Sequence, residues 1–362
     1  MKIPTIAVLG SHSALDVCRG AKDERLETLV IAEIGREQTY ASYYKSRPGI
    51  GCVDECMVLD HFSDILSPDF QKKLRAKNVI FIPHRSFEAY LNFDYRAIEN
   101  DFHVPMFGNK YLLKIEERQS RPNQYDLLEE ANIRYPKQYS SPKAIDRLCM
   151  VKVSERTRVF ERAFFLVSGY QDYVKKTKEM MGNQKITGQA LAASVIEEFV
   201  VGTPVNFNFF YSPINKRLEL MGTDTRRQTN LDGVLRVPAT YQEAVLKSLP
   251  LTFEESGHIA VTVLESMLEK AFSLGEAFVA ATKRLYPPGI IGPFALQSII
   301  TSGPPKKDIV VIDVSPRMPG SPGISATPYG AYLYGKSMSV GRRVAKEIRE
   351  AYTKHAMERI IT

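Results

Sequence analysis

Over residues 1–108, short apolar runs alternate with segments of helical periodicity, and this alternation restricts the possible folds more than any other property of the chain. The apolar runs are Thr5–Leu9, Thr28–Ala32, Glu55–Leu59 and Val79–Ile82, and helical patterns begin near Ser13 and Pro68. Strands separated by helices pair in parallel, because each crossover must return over the sheet. The expectation is a doubly wound α/β unit. Ligands of such sheets gather beyond the carboxyl ends of the strands. Two loops fall there, Gly10-Ser-His-Ser13 and Pro83-His-Arg-Ser-Phe87.

From residue 109 the pattern changes to an α+β unit running to residue 362. Helical runs are expected over Tyr111–Arg118 and Gln124–Ala131, and a strand pair over Val151–Val153 and Ala163–Val167. A helix over Tyr170–Met181 and a strand over Ser194–Val201 follow, then a hairpin of Val205–Tyr211 with Arg217–Gly222. Ile259–Leu285 reads as one long amphipathic helix, stopped by Tyr286-Pro-Pro-Gly289. A chain of 362 residues exceeds one ordinary core, so two or more domains are expected.

Composition narrows the function classes. The chain is 44% hydrophobic and 25% charged, as globular proteins are, with a net charge of +7. The basic excess is spread out and Trp is absent, which argues against a nucleic-acid groove and for anionic small molecules. Cys18, Cys52, Cys56 and Cys149 lack the spacing of a disulfide framework or a zinc site, so free thiols in a cytoplasmic setting are expected. No apolar run is long enough to span a bilayer, and no membrane partner is expected.

Gly10-Ser11-His12-Ser13 turns a strand into a helix, and the amide groups of a helix start attract anions. Ser11 and Ser13 are donors there or simple helix caps; His12 is not explained by capping. His84 and Ser86 lie in the neighbouring loop, whereas His61, His103, His258 and His355 have no partners at ligand spacing. The run Val195–Gly202 reads as a strand leaving the core at a glycine, offering the backbone near Val200 and one carboxylate. Consecutive strand residues face opposite sides, so only one of Glu197 and Glu198 can enter a given cleft. Ile291–Ile300 and Asp308–Arg317 read as paired strands across a Gly-Pro-Pro turn. Asp313, Ser315 and Arg317 are spaced by two and are expected on one face, with Gln297 opposite, as a platform for metal and phosphate.

A Glu-Glu-aromatic-Val-x-Gly linker upstream of such a strand pair resembles the ATP-grasp superfamily. The chain as a whole resembles the archaeal formate-dependent phosphoribosylaminoimidazolecarboxamide ligases. The matching segments are Leu9–Ala14, Val104–Asn109, Ile196–Thr203, Asn230–Arg236, Pro287–Phe294 and Ser339–Lys346. The resemblance implies a Rossmann-like (pre-ATP-grasp) domain at 1–108 and an ATP-grasp domain at 109–362, the latter divided into a nucleotide-covering part (109–204) and a part with the metal strands (205–362). It implies formylation of 5-aminoimidazole-4-carboxamide ribonucleotide (AICAR) with ATP and formate, through formyl phosphate, by a homo-oligomer. On matching positions His12, Ser86 and Asn230, beside Ser11 and Ser13, would hold the nucleotide substrate. Lys152, Glu197, Glu198 and Val200 would hold ATP, Gln297 and Asp313 Mg²⁺ (or Mn²⁺), and Arg226 and Arg317 the reacting phosphate.

Three loops depart from the family. The stretch Val153–Ala163 has no glycine where the family places a glycine-rich phosphate cover. Arg158 and Arg162, with Arg156, would neutralise phosphate by side chains instead. Arg85 replaces a glycine, crowding the substrate loop or adding a phosphate contact, and Met318–Gly323 replaces an acidic turn. Three readings follow: an active ligase, a diverged non-catalytic or regulatory paralogue that keeps nucleotide binding without formyl transfer, or an ATP-grasp ligase with another acid or amine substrate.

Overall fold

Thr5-Ile-Ala-Val-Leu9 is buried at every position because both faces of its sheet are covered. In the computed structural model, which describes residues 3–117, 120–153, 164–249, 255–303 and 306–362, this run is the strand β1. It pairs in parallel with β2 (Thr28–Glu33) and β4 (Val79–Phe81), and β3 (Glu55–Leu59) completes the order β3-β2-β1-β4. The helices are α1 (Ala14–Asp23), α2 (Pro68–Ala76), α3 (Arg85–Tyr90) and α4 (Tyr95–Asn100). Ala7, Leu9, Leu29, Ile31 and Phe81 pack on one side with Phe70, Leu74 and Phe87. Ile6, Val8, Val30 and Ile80 pack on the other with Val17 and, from the far end of the chain, Val344 and Ile348.

A second, antiparallel sheet follows α5 (Gln124–Glu130). It has the order β5-β8-β6-β7, from β5 (Gln138–Tyr139), β6 (Cys149–Lys152), β7 (Phe164–Val167) and β8 (Val195–Glu198). Its small core of Tyr139, Val151, Val167 and Ile196 is closed by α6 (Tyr170–Gly182) and α7 (Gly188–Ala192).

The third sheet is five antiparallel strands in the order β11-β10-β9-β12-β13. They are β9 (Thr203–Ser212), β10 (Arg217–Gln228), β11 (Glu255–Ala260), β12 (Gly292–Thr301) and β13 (Asp308–Ser315). The hairpin strands are thus longer than the expected 205–211 and 217–222. α8 (Thr229–Arg236) and α9 (Ala239–Ser248) separate β10 from β11, and α10 (Leu268–Leu285) packs its Ala271 and Phe278 under Phe209 and Phe294. The expected helix over 259–285 is corrected: its first part is β11 and a short 3-10 turn at Glu265–Met267, and the helix starts at Leu268. Residues Lys110–Glu116 form a 3-10 helix in place of an expected α-helical run.

After α11 (Tyr329–Tyr334), α12 (Val340–Thr353) returns to lie across α1. The crossing is glycine against backbone: a Cβ on Gly20 would meet Arg342 N at 2.1 Å, and one on Gly341 would meet Asp16 O at 2.3 Å. α12 also reaches the third sheet through Arg343, which is fully buried. Its guanidinium pairs with Glu219 at 2.6 Å and Glu347 at 2.9 Å and lies 4.1 Å from the Phe210 ring centroid.

Candidate functional site

The strand-to-helix turn after β1 holds His12 at φ 52°, left-handed backbone that a histidine rarely adopts. Ser13 occupies the cap position of α1, yet its hydroxyl caps no helix amide. It donates instead to Pro319 O, in the loop after β13, and contacts His12 Nδ1 at 2.7 Å. Capping therefore does not account for Ser13. Across the loop, Ser86 Oγ donates to Ser11 Oγ at 3.0 Å, and Ser11 is 3.2 Å from the Tyr90 hydroxyl, which accepts from Arg36 at 2.8 Å. The structure thus brings Ser11, His12, Ser13 and Ser86 together. It adds Tyr90 and Arg36, which no motif marked; Tyr90 lies one helical turn after Ser86, the only sequence cue.

His12 stacks on His84 with ring centroids 5.2 Å apart. His84 is fully buried, and its Nε2 donates to Leu9 O at 3.0 Å, so Nδ1 carries the lone pair. Burial, with help from Arg317, lowers the His84 pKa to about 4. The His12 ring is open to solvent on one side, but protein crowds the rest. Desolvation, then repulsion from His84 wherever that ring is itself protonated and from Arg317, His258 and Arg85, pushes its pKa far below the imidazole norm. Both rings are neutral at pH 7.

On the third sheet, Gln297 stands opposite Asp313 in the ladder and a bulge follows at Ser298. Gln297 Oε1 accepts from Arg226 Nη2 at 2.6 Å, and its Nε2 donates to Ser315 Oγ at 3.0 Å. Asp313 Oδ1 accepts from the amide of Val314 at 3.2 Å. Arg226 is held from the other side by Glu255 at 3.1 Å. Next to it His258 bridges Asp224 and Glu255, and Asp224 also accepts from Asn206 and Asn208. Burial alone would lower the His258 pKa, but these carboxylate bonds outweigh it and raise it to about 9. Sequence spacing left His258 unassigned because its partners lie on a neighbouring strand and at Glu255.

Arg317 corrects the expectation of one shared face. It lies beyond β13, and its guanidinium turns from Gln297 toward the first sheet, where Glu88 (2.8 Å) and Glu116 hold it. Arg85 pairs with the same carboxylates, at 2.9 Å to Glu116 and 3.4 Å to Glu88, and lies 4.6 Å from the Phe93 ring centroid. Neither expected role of Arg85, crowding or phosphate contact, describes this arrangement. It balances buried carboxylates.

Lys152 and Glu197 form a buried ion pair between the second and third sheets. The Tyr125 hydroxyl donates to Glu197 at 3.0 Å, and Lys152 Nζ lies 3.5 Å from Ile312 O of β13. Glu198 points the other way, toward Arg147 at 3.3 Å, so Glu197 is the carboxylate beside Lys152. Val200 lies in the extended link between β8 and β9, and Asn230 lies in the first turn of α8, directly after the strand bearing Arg226. Arg158 and Arg162, with the glycine-free stretch 154–163, lie outside the described residues.

The donor set does not suit a divalent cation held by protein alone. Gln297 is neutral and its oxygen is taken by a guanidinium, leaving Asp313 as the one carboxylate of the expected pair. Among the described residues no group of three or more His, Cys, Asp or Glu side chains is placed to hold a metal.

Three loop systems therefore meet: the carboxyl ends of the first sheet, the β10–β13 face, and the second sheet above it. Solved structures share this arrangement. An N5-carboxyaminoimidazole ribonucleotide synthetase, solved as an ADP complex, superposes with a TM-score of 0.62 over 94% of this chain and 80% of its own, at 12% identity, which marks the ATP-grasp fold alone. The IMP biosynthesis protein PurP from Thermococcus kodakaraensis superposes with a TM-score of 0.73 at 29% identity over 99% of this chain and all of its own. Two families described only as of unknown function, DUF1246 and DUF1297, match residues 6–139 and 172–362. The 5-formaminoimidazole-4-carboxamide-1-(beta)-D-ribofuranosyl 5'-monophosphate synthetase of Methanothermobacter thermautotrophicus is 38% identical over 99% of this chain and 94% of its own length. That of Methanopyrus kandleri is 37% identical over 99% and 95%. With these relatives matched along almost their whole length, the chain belongs to the family of 5-formaminoimidazole-4-carboxamide ribofuranosyl 5'-monophosphate synthetases, built on the ATP-grasp fold.

Proposed function

We propose that this chain is an ATP-dependent carbon–nitrogen ligase that formylates AICAR with formate, in the synthesis of IMP. The observation that carries the reading is the near-full-length match to the synthetases. In the first step a formate oxygen attacks the γ-phosphorus of ATP and ADP leaves, giving formyl phosphate. In the second, the 5-amino group attacks the formyl carbon and phosphate leaves. Both steps ask the protein for positioning and for offsetting charge on phosphate oxygens.

Ser11, His12, Ser13 and Ser86 form the substrate end, with Asn230 closing it from α8. Lys152, paired with Glu197, faces β13 where the nucleotide would enter between the second and third sheets. Glu198 and the backbone at Val200 border that entrance. Arg226 supplies positive charge at the reacting phosphate, whereas Arg317 is held by Glu88 and Glu116 on the first-sheet side. Mg²⁺ would accompany ATP and meet Asp313 among the described residues. A cytoplasmic homo-oligomer fits the same reading, and no helix among the described residues is long and apolar enough to cross a membrane.

Incubation of the pure protein with ATP, formate and AICAR is expected to yield ADP and the formylated nucleotide in equal amounts. ADP without that nucleotide would point to another acceptor. Absence of both products, with each substrate bound, would overturn the reading.

A further inference from the structure

The hydrogen bonds around Ser13 fix a proton position that the fold alone does not reveal. A carbonyl oxygen only accepts, so the contact between Ser13 Oγ and Pro319 O uses the serine proton. Ser13 Oγ must then accept in its 2.7 Å contact with His12, and His12 Nδ1 carries the hydrogen. The other ring nitrogen, Nε2, is left with its lone pair. Gly320 lies against that edge of the ring, and any side chain there would cover the nitrogen: a Cβ would stand 2.7 Å from Nε2. The backbone holds the ring in place at a left-handed φ of 52°, a conformation of the kind that recurs at functional sites.

We propose that His12 Nε2 accepts the proton released when the substrate amine attacks the formyl carbon, with Ser13 and Pro319 as the positioning pair that fixes its tautomer. The proposal rests on the formylation reading above. As the amine nitrogen forms its bond to carbon, the carbon–oxygen bond to phosphate breaks, phosphate leaves with the electron pair, and an N–H proton passes to Nε2. The ring's open side then releases the proton to water. The groups that face His12 are His84 after β4, Arg85 on α3, Arg317 after β13 and His258 on β11. Arg85, Arg317 and protonated His258 disfavour an imidazolium, so the free ring is unprotonated, and bound phosphate would counter those charges when the proton arrives.

The test compares wild type with His12→Asn, which tolerates the left-handed backbone, and with Ser13→Ala. Steady-state formation of the formylated nucleotide is measured alongside formyl phosphate trapped by hydroxylamine. For His12→Asn, kcat for formyl transfer is expected to fall about 10²–10⁴-fold, whereas the lost substrate contact raises KM for AICAR by a smaller factor. The trapped hydroxamate is expected to fall by less than about tenfold, because the first step does not need this proton acceptor. Ser13→Ala is expected to lower kcat less, and to move the acidic limb of the pH profile, which a loss of packing would not do. A His12→Asn enzyme that keeps kcat and loses only KM overturns the proposal alone. A wild type that makes no formylated nucleotide overturns both it and the reaction.

Discussion

At the scale of single residues, His258 is the clearest case of environment setting charge. Burial works against its proton, but Asp224 and Glu255 occupy both ring nitrogens and hold its pKa at about 9, against an ordinary 6.5. A folded-state pKa above the unfolded one means that folding binds the proton. The stabilisation is complete below about pH 6.5 and is lost as pH rises through about 9. The thermal midpoint of wild type is therefore expected to fall between pH 7 and pH 10. In His258→Gln that fall should be smaller, read by differential scanning fluorimetry across buffers. Equal slopes in the two proteins would show that His258 is not the group responsible. The same cation sits beside Arg226, and with Asp224 and Glu255 the two make a balanced group of two cations and two anions at the β11 edge.

At the scale of elements, the α1–α12 crossing depends on two glycines meeting opposing backbone. Gly341 also donates its amide to Asp16 at 2.9 Å, so α12 cannot slide away to make room. Gly341→Ala is expected to cost about 1–3 kcal/mol as overpacking against backbone, seen as a lower urea midpoint. An unchanged midpoint would mean that the helices separate freely. The segment Ser339–Lys346, singled out in the sequence as a family motif, is thus a packing device, as is Asn109, which donates to Tyr286 O and Gly289 O. Element types were legible where periodicity was long, as in β1–β4 and α10. They were not legible at Ile259–Leu264, where an apolar run broken only by Thr262 has no period to separate strand from helix. The platform residues Gln297, Asp313 and Ser315 could be placed from alternation. Arg317 could not, because the chain leaves the strand at Pro316 and alternation ends there.

At the scale of the whole molecule, the first and third sheets meet through four charges. Arg317, carried by the chain after β13, enters between Glu88 of α3 and Glu116 of the 3-10 helix, and Arg85 completes a balanced set of two cations and two anions. The Tyr95 hydroxyl adds a bond to Glu88 at 3.0 Å. Ser86 and Glu88 share α3, so the same cluster that seats Arg317 also seats the substrate serine. The two arginines are not equivalent. The side chain of Arg317 is 6% exposed and that of Arg85 is 30% exposed, so water can replace the second more easily than the first. Arg317→Gln leaves buried Glu88 short of its nearest cation and is expected to cost about 3–5 kcal/mol, the range for breaking a buried pair. Arg85→Gln is expected to cost about 1 kcal/mol, nearer the range of exposed pairs. A double-mutant cycle between Glu88→Gln and Arg317→Gln should return a coupling of about 0.5–3 kcal/mol by urea denaturation. A cycle that closes at zero, or an Arg85→Gln as costly as Arg317→Gln, would place the joint between the sheets elsewhere.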